Sequence, residues 1–189
     1  ALLAIAVRNV QLLGQMRENA VRDQLTGCFN RAYALEALGL ELQRAKRSGV
    51  PLSIIMFDVD RLKRTNDEHG HLTGDAMLAA IGAQLGQTLR SGDVKCRWGG
   101  DEFLVILPNT PLGGAENAGA SLTREISQLA LPTSQGDLAP TVSVGIAVAE
   151  PGETDPIPLI ARADAALYKA KHAGRNRFVV AQSTIRAVN

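Results

Sequence analysis

Acidic side chains stand where two apolar runs stop. Asp58 follows Ser53-Ile54-Ile55-Met56-Phe57, and Asp101 and Glu102 follow the Gly99-Gly100 pair that closes the run from Val94 to Trp98. Carboxylates at strand ends beside a tight turn can share a hard cation. Mg²⁺ takes oxygen ligands and is commonly held by one or two carboxylates plus substrate phosphates. Two such ions can activate a hydroxyl and stabilise a departing pyrophosphate in nucleotidyl transfer. Lys63, Lys171 and Arg175 could grip triphosphate oxygens. Asn66 and Asp75 flank the polar stretch Asp67-Glu68-His69-Gly70-His71. A carboxylate accepts from the paired N–H donors of guanine, a pair that adenine lacks, while an amide both donates and accepts on that edge. Plainer readings exist for the same residues: solvated turn acids, exposed surface cations, and helix caps for Asn66 and Asp75. His69 and His71 have no evident third ligand for a zinc site.

These groups need a scaffold. The first 22 residues carry Leu3, Val7, Val10 and Leu13 at helical steps, a narrow stripe that suits a connecting or coiled-coil helix. A break at Asp23-Gln24-Leu25-Thr26-Gly27 precedes a helix with Leu35, Leu38, Leu42 and Ala45 on one face, ended by Gly49-Val50-Pro51. The run 53–57 has strand length and is nearly continuously apolar, which predicts a central strand covered on both faces. A helix with Leu78, Ile81, Leu85 and Leu89 leads to two strands joined by the Gly99-Gly100 hairpin turn. There follow a helix with Ala118, Leu122, Ile126 and Leu129, a strand over 141–148, a helix with Ile160, Ala163, Leu167 and Ala170, and a last strand at Phe178-Val179-Val180. Residues 132–140 and 149–158 read as loops. The hairpin imposes antiparallel pairing, so the expected fold is α+β: a mostly antiparallel five-stranded sheet flanked by helices.

Composition limits the partners. Net charge is +1, with 46% apolar and 21% charged residues. No overall field argues for a nucleic acid polymer or an anionic membrane, so phosphate chemistry must come from local groups. Two cysteines, Cys28 and Cys96, make no disulfide framework and suggest a reducing, cytoplasmic setting. No run approaches the roughly 20 apolar residues of a membrane span. The chain starts without Met, inside an apolar pattern, which suggests a segment of a longer protein.

Arg97-Trp98-Gly99-Gly100-Asp101-Glu102-Phe103 contains the pentapeptide that names the GGDEF family of diguanylate cyclase domains. Further segments resemble that family in the same order: 23–27 with Asn30-Arg31, Phe57-Asp58-Val59-Asp60 through Lys63, Asn66-Asp67, Gly70-His71 and Gly74-Asp75, then 142–147, then Ala163-Asp164 through Lys171 and Gly174-Arg175-Asn176. The resemblance covers about residues 23–180 and implies a sheet similar to the palm of class III nucleotide cyclases. It divides the chain into a signalling linker helix (1–22), a GGDEF domain (23–182) and a tail (183–189).

The resemblance also implies roles. Asp58, Asp101 and the Val59 carbonyl would bind Mg²⁺, with Mn²⁺ as a substitute. Glu102 would ligate metal or take the 3′-hydroxyl proton. Gly99 and Gly100 would let the backbone approach a triphosphate held by Lys63, Lys171 and Arg175. Asn66 and Asp75 would read guanine. The implied reaction joins two GTP into cyclic di-GMP across a homodimer formed through the first helix, under an upstream sensory domain. Arg90-Ser91-Gly92-Asp93 stands where many family members bind product as inhibitor. Leu62 and Cys28 replace residues more usual in the family, and both replacements are apolar. Competing implications are a degenerate domain that only binds nucleotide and a cyclase making a mixed guanine–adenine product; retention of Asp75 disfavours the latter.

Overall fold

The computed structural model describes residues 20–134 and 136–182. The expected linker helix therefore falls outside the described residues except at its end, where Ala20 and Val21 are helical; the tail also falls outside them. In chain order the elements are α1 (Arg31–Ser48), β1 (Leu52–Val59), α2 (Leu62–His69), α3 (His71–Thr88), β2 (Val94–Gly99), β3 (Glu102–Pro108), α4 (Leu112–Ser127), β4 (Leu131–Thr133), β5 (Gly136–Leu138), β6 (Val142–Val148), α5 (Pro156–His172) and β7 (Arg177–Val180).

The five-stranded sheet has the order β2-β3-β1-β6-β7. β1 lies at its centre with all eight residues buried, as its nearly continuous apolar run predicts. The β2–β3, β3–β1 and β1–β6 pairs are antiparallel. The β6–β7 pair is parallel, because α5 carries the chain back along the sheet between them. Ile55, Phe57 and Val59 pack in one core with α3 and α4, while Ile54 and Met56 pack in a second with α1 and α5. Phe57 stands opposite Phe103 across the β1–β3 ladder, the rings stacked with centroids 4.9 Å apart. Such a pair contributes about 0.5–1.5 kcal/mol beyond its burial. Leu62 and Cys28 are both buried in the first core, so these apolar replacements repack without leaving it.

Three local expectations change. Residues 156–158, read as loop, already belong to α5, whose first residue is Pro156, where the missing N–H breaks no helical bond. The stretch 132–140 is not all loop: β4 and β5 form a three-pair hairpin whose Leu131 and Leu138 rest on the core. A ladder this short leaves too few alternations to be read from sequence. Helix α4 stops at Ser127, so Leu129 packs on the core from beyond the helix, and the buried face runs through Ala115, Gly119, Leu122 and Ile126. Among the described residues no helix is long and apolar enough to cross a membrane.

Candidate active site

Antiparallel register brings the acids together. Asp58 pairs with Glu102 on one side and with Ser143 on the other, and the Val59 amide donates to the Asp101 carbonyl at 3.1 Å. Asp58 is buried. That burial pushes its carboxyl up to about 6, with the negative charges of Asp101 and Glu102 adding to the effect and Lys171 opposing it. Lys171, at the end of α5, puts its ammonium 2.8 Å from Asp58 Oδ2. It was expected to hold phosphate; here it is the counter-cation of the most buried acid in the cluster. A site that raises a carboxylate's pKa and draws in a lysine is short of positive charge, the condition that a divalent cation relieves. No three His, Cys, Asp or Glu side chains among the described residues converge as a metal-binding group. Mg²⁺ does not need that many, because phosphates and water complete its shell. Asp58 and Asp101 fit such an ion.

The Gly-Gly turn is braced from behind. Arg97 donates from Nε and Nη2 to the Gly100 carbonyl at 3.0 and 2.8 Å, and from Nη1 to both oxygens of Asp23 at 3.2 and 3.1 Å. Asp23 also accepts from the Thr26 amide and hydroxyl. Burial raises its pKa, but the Thr26 hydrogen bonds and Arg97 outweigh this and hold it below the usual range. The two glycines differ. Gly100 has φ +43°, a conformation that disfavours side chains. Gly99 does not have positive φ, and a Cβ at either position would meet nothing within 4 Å. Neither backbone strain nor packing requires glycine at 99; what it leaves is open space above the turn.

Asn66 and Asp75 lie on adjacent helices, α2 and α3. Neither caps: no side-chain cap hydrogen bond occurs at the start of α2 or α3. Asn66 Oδ1 is buried without a hydrogen-bond partner. It lies against Gly74, where a Cβ would come within 1.9 Å of it. Asp75, the next residue, is exposed. An orphaned amide beside an exposed carboxylate is a polar edge, and among the described residues the amide oxygen has no partner. Lys63 and Arg175 are exposed nearby in sequence to the acids and the Lys171 helix end.

The family model described as "Diguanylate cyclase, GGDEF domain" matches residues 20–177. The chain belongs to this family. Its GGDEF domain is 39% identical over 165 residues to the response regulator PleD of Caulobacter vibrioides, covering 86% of this chain and 36% of that protein. It is 40% identical over 169 residues to the diguanylate cyclase DgcP of Pseudomonas aeruginosa, covering 89% of this chain and 25% of that protein. The chain thus spans well under half the length of these curated relatives. Among solved structures, the coiled coil and GGDEF domain of DgcB from Caulobacter crescentus, in complex with c-di-GMP, matches with TM-score 0.88 and 31% identity over 95% of both chains. The diguanylate cyclase SiaD of Pseudomonas aeruginosa, in complex with its activator SiaC, matches with TM-score 0.83 and 37% identity over 95% of this chain and 70% of that one.

Sequence reasoning gave no role in this GGDEF domain to Asp23, Arg97 or Asp60. Asp60 accepts from Thr141 Oγ1 at 2.8 Å, Ser143 Oγ at 2.6 Å and the Asn176 amide at 3.1 Å. It ties the loop after β1 to β6 and to the turn that carries Arg175. Its only sequence signal was its spacing two residues from Asp58, which does not separate a metal ligand from a structural acid. Arg90 and Asp93 lie apart from the acids, at the opposite end of the β2–β3 hairpin. Asp93 is buried and accepts from the Arg90 amide at 2.9 Å, closing the loop, while the Arg90 side chain is exposed. A cleft of about 180 Å³ adjoins them, lined also by Asn117 and Ser121.

Proposed function

We propose that this GGDEF domain is a diguanylate cyclase that joins two GTP into cyclic di-GMP and releases two pyrophosphates. The observation that carries this reading is the register that sets buried Asp58 opposite Glu102 and within electrostatic reach of Asp101, with Lys171 drawn in as counter-cation.

Asp58, Asp101 and the Val59 carbonyl would hold Mg²⁺ or Mn²⁺, which supplies charge neutralisation at the triphosphate. Lys63, Lys171 and Arg175 bind phosphate oxygens, with Lys171 moving from Asp58 to the substrate once that carboxylate gains another cation. Asn66 and Asp75 read the guanine edge, and Gly99 and Gly100 leave room for the triphosphate. Glu102 takes the proton from the 3′-hydroxyl of one GTP. The freed oxygen forms a bond to the α-phosphorus of the other GTP, and the bond from that phosphorus to the bridging oxygen breaks as pyrophosphate departs. The second bond forms the same way with the nucleotides' roles exchanged. One domain holds one GTP, so two domains must face each other, brought together through the first helix under an upstream sensory domain. Arg90 and Asp93 would bind the product as an inhibitor. The GTP requirement puts the reaction in the cytoplasm.

The test is product analysis after incubating concentrated protein with GTP and Mg²⁺. Cyclic di-GMP and pyrophosphate, both absent with Glu102→Gln, are expected. Failure of the protein to make them even when dimerised through a fused coiled coil would leave it a nucleotide-binding module.

A further inference from the structure

Two buried polar atoms are left over on helix α2. Among the described residues, Asn66 Oδ1 and His69 Nδ1 are the buried side-chain nitrogen and oxygen atoms without a hydrogen-bond partner. Residues three apart on a helix are neighbours on one face, with Cβ atoms about 5–6 Å apart. The two orphans are also complementary. An amide oxygen only accepts, and an imidazole Nδ1 donates when it carries the ring's proton.

The surroundings fix both residues but leave these two atoms open. The Asn66 carbonyl accepts from the Gly70 amide at 2.9 Å, and the His69 carbonyl accepts from Thr73 Oγ1 at 2.9 Å. Both backbones are thereby held at the junction of α2 and α3. Gly74 gives the amide its room: a Cβ there would stand 1.9 Å from Asn66 Oδ1 but 3.4 Å from Nδ2. The oxygen is turned in against α3, and the NH₂ is the freer end. The end that faces a base decides which base fits. An NH₂ suits guanine, whose O6 and N7 accept, whereas an amide oxygen suits the N6 amino group of adenine. An unrestrained amide can turn either end outward; one whose oxygen is engaged inside the protein offers only donors.

We propose that His69 is a positioning residue that sets base specificity: its Nδ1–H donates to Asn66 Oδ1 and locks the amide with its NH₂ toward the base. This rests on the proposed reading of guanine by Asn66 and deepens it. The choice against a 6-amino purine is made by a residue that does not touch the nucleotide.

The experiment is calorimetric titration, in Mg²⁺, with 3′-deoxy-GTP and with its analogue carrying 2,6-diaminopurine in place of guanine. Both lack the attacking hydroxyl, so no turnover intervenes. The analogue has an amino group where guanine has O6. It also lacks the N1 proton, a penalty at Asp75 that every variant shares. His69→Phe keeps a ring and removes the N–H. It should narrow the preference for guanine by about tenfold, the worth of one hydrogen bond. The guanine nucleotide should bind more weakly and the diaminopurine nucleotide more tightly, opposite changes that a general loosening of the site does not give. Its melting temperature should stay within a few degrees of the parent, because an apolar ring replaces an unpaired polar atom. His69→Gln supplies an amide N–H from the same position and should keep most of the preference. The proposal is overturned by an unchanged preference in His69→Phe, by both nucleotides weakening together in that variant, or by an equal loss in His69→Gln. Asn66→Ala separates this proposal from the reading beneath it. If Asn66→Ala keeps the parent's preference, the reading of guanine by Asn66 fails and the role of His69 with it. If Asn66→Ala loses the preference while His69→Phe keeps it, the role of His69 alone fails.

Discussion

Arg97 links Asp23 to the turn that carries Asp101 and Glu102, bonding the Asp23 carboxylate at 3.1 Å and the Gly100 carbonyl at 2.8 Å. One guanidinium thereby ties the segment entering the domain to the Gly-Gly hairpin. The pair is only about one-fifth exposed, so its charge-assisted bonds are less screened than those of a surface ion pair. Asp23→Ala should lower stability by about 1–3 kcal/mol and cut the turnover rate by about tenfold or more through misplacement of the turn. Thermal melts and initial rates, measured on the same preparation, check both. Unchanged rates would mean the turn keeps its shape without the link.

Asp58 and Asp23 should oppose each other in pH. Asp58 has a raised folded-state pKa, so the fold favours its protonated form. Its contribution is most favourable below its ordinary value near 4 and is lost as pH rises to about 6. Asp23 is lowered, so its contribution is present above that ordinary value and lost as pH falls through its folded pKa. Asp58→Asn should therefore abolish activity yet stabilise the metal-free protein at pH 7.5 by about 1–2 kcal/mol, after allowing for the lost Lys171 pairing. It should also flatten stability between about pH 4 and pH 6. Melting temperatures across that range, in EDTA, decide it; a destabilised Asp58→Asn at pH 7.5 would contradict the charge reading.

Gly74→Ala tests the proposed reading of guanine by Asn66. The added methyl would overlap Asn66 Oδ1, so the amide must swing away. Alanine is favoured over glycine inside a helix by about 1 kcal/mol, which offsets part of that cost. The expected result is a melting temperature within a few degrees of the parent and GTP affinity about tenfold weaker. Equal affinity would remove Asn66 from nucleotide recognition.

Arg90→Ala should leave the initial rate unchanged and remove the slowing of progress curves as cyclic di-GMP accumulates. Arg90 is exposed and lies at the far end of the hairpin from Asp101 and Glu102, so the two effects should separate. Progress curves that slow as before would take Arg90 out of product inhibition.

Much of the fold was legible in order and type. The nearly continuous apolar run in β1 marked a strand with no solvent face, the glycine pair marked a hairpin, and leucines at helical spacing marked the covers. The β4–β5 hairpin was not legible, because three pairs leave no pattern. Asp58 was legible as a strand-end acid and Asp101 and Glu102 as acids after a tight turn; that they stand in neighbouring register came from the pairing of β1 with β3.

Pairing of those acids with particular bases was not. Lys171 could have been any surface cation until α5 packed against the sheet and brought it to Asp58. Asp60 had no assigned role until packing brought Thr141, Ser143 and the Asn176 amide to its carboxylate. The left-handed backbone at Arg61 and Arg175 has no glycine to announce it. Local sequence determined which elements form and which side chains cluster at strand ends, because backbone geometry and hydrophobic spacing act over a few residues. Tertiary structure alone decided which charges meet, because a hydrogen bond needs about 3 Å and only packing brings distant segments that close.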